Sequence, residues 1–140
     1  MSWSALATGI DALIDADTGS GGLKEAGGAN LIAGAYNTAA AQTAATPYIV
    51  FSNVSGPELK AFAKDAVRYT VQFDIYANKR TGSLKLTAIT DRLRTVIDRV
   101  KPSLSGWTAD KGQIVATRGP DADDEVMRMS LDWEVIVNKD

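Results

Sequence analysis

The stretch Val126-Met127-Arg128-Met129-Ser130-Leu131-Asp132-Trp133-Glu134-Val135-Ile136-Val137-Asn138 decides the fold. Met127, Met129, Leu131, Trp133, Val135 and Val137 fall on alternate positions, with Arg128, Ser130, Asp132 and Glu134 between them. Successive side chains of a strand point to opposite faces, so this alternation predicts a strand with one face on a core and one in water. A second stretch, Ala66–Ala77, repeats the pattern. Val67, Tyr69, Val71, Phe73 and Ile75 share one face, and Arg68, Thr70, Gln72, Asp74 and Tyr76 share the other. Half-buried strands of this kind are typical of an antiparallel sheet covered on one side only.

Outward from these strands, Gln113–Arg118 predicts a shorter strand, joined to the last by an acidic hairpin loop, Gly119-Pro120-Asp121-Ala122-Asp123-Asp124-Glu125. After the turn Asn78-Lys79-Arg80-Thr81-Gly82, Ser83 caps a helix that runs to about Val100, with Leu86, Ile89, Leu93, Val96, Ile97 and Val100 as its apolar stripe. Arg92, Arg94, Asp98 and Arg99 are placed outside, and Pro102 stops the helix. Trp107 is expected to plug one end of the core. Pro47 opens a strand over Tyr48–Val54, Gly56-Pro57 breaks it, and Glu58–Asp65 reads as a polar link with a helical turn. Trp3–Asp15 predicts an amphipathic helix, with Ser2 or Ser4 as its N-cap and glycines beyond Asp17 ending it.

Leu23–Thr46 is rich in Gly and Ala and reads as a long connection with a short helical stretch near Asn37–Ala45. The expected fold class is α+β: a four-stranded antiparallel sheet with two main helices packed on one face. It forms one domain over residues 1–140, with a long loop at 18–46. Such a sheet leaves a charged face and two edges uncovered.

The chain has 140 residues, 15 basic and 17 acidic, and a net charge of -2. That balance lacks the basic excess of a dedicated nucleic-acid binder. There is no cysteine and no histidine, which removes disulfides, thiolate metal sites and the commonest general base. No apolar run approaches the roughly 20 residues of a membrane helix. The N-terminus has no signal-peptide pattern, so a reducing cytoplasm is expected.

Motif searches give little chemistry. Gly19-Ser20-Gly21-Gly22 with Lys24 follows a helix and lacks the spacing of a phosphate loop. Asp15-Ala16-Asp17 begins like a calcium loop, but Gly19 occupies the third ligand position. Asn53-Val54-Ser55 matches a glycosylation acceptor without a secretory context. The acids from Asp121 to Glu125 read as a solvated loop, and the charges around Asp74 and Asp132 as cross-strand pairs. No nucleophile is paired with a base. Neither a catalytic residue nor a metal or cofactor is therefore expected.

Pro47-Tyr48-Ile49-Val50-Phe51 before a polar break, Tyr69-Thr70-Val71-Gln72-Phe73-Asp74-Ile75-Tyr76-Ala77, the Ser-capped helix with Leu93 and Ile97, and Met129-Ser130-Leu131-Asp132-Trp133-Glu134-Val135 follow in order. This pattern resembles the tail-completion or tail-terminator proteins of long-tailed bacteriophages. The resemblance implies a virion protein of the neck, assembled in the host cytoplasm. It implies a ring, hexameric in such proteins, that ends tail-tube polymerisation. Its partners would be itself, the tail-tube protein and the head connector or stopper, with DNA passing through the lumen. Candidate contact residues are Tyr36 and Tyr48 as aromatic anchors, Lys79 and Arg80 in the turn, and Arg118, Asp121, Asp123, Asp124 and Glu125 around the hairpin. The acidic loop is expected to line or flank the lumen. Two alternatives stay open: another neck component such as a head-completion protein, and a small-ligand-binding α+β domain using the charged face.

Overall fold

The alternating stretches do form the two central strands. In the computed structural model β4 (Lys64–Asn78) and β7 (Val126–Lys139) pair antiparallel from Ala66 opposite Asn138 to Asn78 opposite Val126. Residues 2–19, 22–23, 32–38, 47–54, 60–61, 64–78, 82–122 and 126–139 are described. The remaining elements are α1 (Ser2–Asp15), β1 (Gly34–Asn37), β2 (Tyr48–Asn53), β3 (Lys60–Ala61), α2 (Gly82–Ile97), β5 (Trp107–Ala109) and β6 (Gln113–Ala122).

The fold is α+β, but the sheet is larger than four strands and is mixed. Its order is β1-β2-β4-β7-β5, with β3 pairing β4 and β6 pairing β7. β1 runs parallel to β2, with Gly34 opposite Tyr48 and Asn37 opposite Phe51. The Gly/Ala-rich region therefore contributes a strand at Gly34–Asn37 where a helical stretch was expected to begin; residues 39–46 lie outside the described residues. Leu23 and Ile32, in the same region, are wholly buried. Lys60–Ala61 and Lys64 form a small ladder in place of the expected helical turn. The strand before the last hairpin continues through Gly119 to Ala122, which the sequence reading assigned to a loop. Register shifts between Ile114 and Ala116 and between Arg118 and Asp121 absorb the extra residues.

One face of the sheet carries the core. Phe51, Val71, Phe73, Ile75, Leu131, Trp133 and Val137 are fully buried under Leu6, Ile10 and Ile14 of α1 and Leu86, Ile89, Leu93 and Ile97 of α2. Met127, Met129 and Trp107 pack partly buried against it. Trp133 meets Phe73 edge-on at 6.2 Å, and its indole N–H donates to the Ile97 carbonyl at 3.0 Å. The ring lies against Gly112, where a Cβ would come within 2.0 Å of it. Gly112 in turn accepts from Arg99 N at 2.7 Å and donates to the Val100 carbonyl at 3.1 Å. The end of α2, the link before β6 and the centre of β7 are thus fastened at one point. α2 ends through Arg99 in the left-handed region, φ 59°, a place that glycine usually fills.

Candidate functional site

The outward positions of β2, β4, β7 and β6 line up across the sheet face opposite the helices, which none of the described residues covers. Tyr48 lies opposite Tyr76, Tyr76 opposite Arg128, and Arg128 opposite Asp121. Tyr36 of β1 joins this row from the edge. Its ring stands edge-on to Tyr48 at 6.0 Å, and Tyr48 stacks on Tyr76 at 5.0 Å and 27°. Burial pushes the Tyr48 hydroxyl above its ordinary range, with Tyr76 and Tyr36 adding to the effect. Arg128 is held more firmly protonated, chiefly by its hydrogen bond with Tyr76.

The middle of the face is a closed polar network. Asp74 accepts from Ser130 Oγ at 2.5 Å and, through both oxygens, from Gln72 Nε2 at 3.0 Å. Arg118 of β6 grips Asp132 with two nitrogens, one at 2.9 Å. That bond also raises the Arg118 pKa. Arg68 stands 3.4 Å from Glu134. These charges pair strand to strand, in the way that contributes about 0.2–1 kcal/mol per pair. Among the described residues, one hollow of about 290 Å³ lies beside Tyr76 and Arg128 and another of about 270 Å³ beside Val115 and Ile136. Val54 and Val115, exposed at 51% and 55%, lie toward the end of the sheet away from the tyrosines.

The edges are blunted unevenly. On β6 the backbone N–H of Ile114 donates to Asp98 Oδ1 at 3.1 Å, and Pro120 has no N–H to offer. β1 is only four residues long.

Of the residues singled out from sequence, Tyr36 and Tyr48 come together in one row, and Asp121 stands at its far end. Arg118 lies three residues before Asp121 on β6, across a register shift, and is tied to Asp132. Lys79, Arg80, Asp123, Asp124 and Glu125 lie outside the described residues. The sequence reading placed Arg128 only among the outward charges read as cross-strand pairs, and it did not single out Tyr76. Both occupy outward positions of strands it identified, and pairing the strand after Pro47 with β4 would have brought them to Tyr48.

None of the curated proteins compared matches the chain. Among solved structures, a chain from the virion of a native gene transfer agent particle superposes with TM-score 0.63 at 13% identity, covering 96% of this chain and 92% of that one. A second solved chain superposes with TM-score 0.57, also at 13% identity, covering 94% and 91%. At that identity the likeness is one of fold. The model of the family described as tail completion protein gp17 matches residues 23–138. The chain therefore belongs to the tail completion protein gp17 family, structural proteins of the bacteriophage tail and components of the virion.

Proposed function

We propose that copies of this chain, six in number, close into a ring at the head-proximal end of the tail. There the ring ends growth of the tail tube and joins the tail to the head connector. Membership of the tail completion family supports this reading, and the observation that carries it is the aromatic row on a sheet face that nothing in the chain's described residues covers. Tyrosine and arginine are the residues enriched at protein interfaces, and Tyr36, Tyr48, Tyr76 and Arg128 stand side by side. A ring needs two different surfaces of one chain to meet and the contact to repeat with a closing rotation. The face opposite the helices, with Arg118 and Asp121 on β6, and the sequence-expected contact residues Lys79, Arg80 and Asp123–Glu125 would serve that contact and those with the tube and connector. Acidic residues near the lumen would let DNA pass without being held. The chain acts as a single structural domain without catalysis; its composition offers neither histidine nor cysteine to an active site.

The mass of the purified protein in solution, alone and with tail-tube protein, tests this reading. A discrete species at six times the 14.9 kDa chain mass is expected. A chain that stays monomeric under both conditions would contradict the ring.

A further inference from the structure

The arginines of the outer face differ in how well they are held. Arg118 uses two nitrogens on Asp132. Arg128 shares a hydrogen bond with Tyr76 but stands 3.6 Å from Asp121 without a two-nitrogen grip on it, and the Arg128 and Asp121 side chains are 45% and 69% exposed. Arg68 and Glu134 are also loose, at 3.4 Å. Arg128 differs from Arg68 in that it and its carboxylate both line a hollow, about 290 Å³, completed by Tyr76, Ala122 and Val126. The Tyr76 ring is backed by the stacked Tyr48. The hollow therefore joins an aromatic and aliphatic wall to a guanidinium whose planar fork fits a carboxylate through two parallel bonds. Asp121 makes no such pair. Asp74 also acts on Arg128 through space, so a doubly charged phosphate would face two nearby carboxylates, whereas a single carboxylate meets less opposition.

We propose that the hollow at Arg128 is a docking site for an acidic side chain of a protein partner, with the partner's adjoining aromatic or aliphatic residue on the Tyr76 wall. Asp121 keeps the place and is displaced on docking. The assignment stands on the geometry of the hollow and does not depend on the ring.

The probe is 3-phenylpropionate, titrated into the full-length protein and followed by NMR at Tyr76 and the Arg128 side chain, with 3-phenylpropionamide as the uncharged control. Saturable shifts with the acid and none with the amide are expected. Asp121→Asn removes the competing carboxylate and tightens binding about 2- to 5-fold, the range of an exposed ion pair. Arg128→Gln abolishes binding, and Arg128→Lys, which keeps the charge without the fork, weakens it. Shifts that do not saturate, equal binding by Arg128→Gln, or weaker binding by Asp121→Asn would overturn the proposal.

Discussion

Asp17, two residues beyond the end of α1, grips Arg92 of α2 through both carboxylate oxygens, with Nε to Oδ2 at 2.8 Å and Nη2 on Oδ1. The same Oδ2 accepts from the backbone N–H of Leu23 at 2.8 Å. The Asp17 side chain is 9% exposed. One carboxylate thus ties the two helices together and fixes the start of the Gly/Ala-rich segment, whose Leu23 is buried in the core.

Asp17→Ala leaves the Leu23 N–H without that acceptor and should cost about 1.5–3 kcal/mol, the worth of a hydrogen bond to a charged group. The Arg92 hydrogen bond outweighs burial and, with the Leu23 N–H, holds the Asp17 carboxyl below its ordinary value of 3.8. A depressed carboxyl pKa contributes stability that is fully present above the unfolded value and lost as pH falls through the folded one. Urea unfolding should therefore show a full gap between wild type and Asp17→Ala at neutral pH. The gap should narrow once pH drops below about 4.

Gly112→Ala should destabilise the fold by at least about 3 kcal/mol, the top of the usual range for overpacking, because the Trp133 ring has no space to retreat. Trp133→Ala should cost about 3–5 kcal/mol. Thermal unfolding checks both, and near-wild-type stability of Gly112→Ala would mean the ring does not rest on that glycine.

Arg99→Gly should stabilise the protein by about 0.5–1 kcal/mol. Removing a Cβ from the left-handed region relieves about 1–2 kcal/mol, part of which is returned as unfolded-state entropy. Denaturant midpoints give the sign.

Tyr36→Ala should leave the chain folded, losing about 0.5–1.5 kcal/mol with the edge-on contact to Tyr48. Its larger effect is expected on association, read as the fraction of assembled species at a fixed protein concentration. Unchanged assembly would remove Tyr36 from the interface.

The parts legible in the sequence were those where one chemical pattern sufficed. Period-two alternation marked β4 and β7, and the stripe Leu86, Ile89, Leu93, Ile97 marked α2. Gly34-Ala35-Tyr36-Asn37 carries no such alternation; its strand exists because β2 lies beside it in parallel. Trp107–Ala109 is too short for a period, and Gly119-Pro120 looks like a turn although bulges carry the strand through it. Asp17 and Arg92 are 75 positions apart, so their pairing appears only once both helices are placed. Tyr36 and Tyr48 were visible as aromatics in a region of small residues. Tyr76 and Arg128 became part of the same row only through the register between strands.

The central claim is that this chain ends the tail tube and joins it to the head. Electron microscopy of particles assembled without it tests that most directly. The expected result is tails of uncontrolled length that fail to join filled heads, with normal length and joining restored when the protein is supplied. Tails of uniform length already attached to heads in its absence would contradict it.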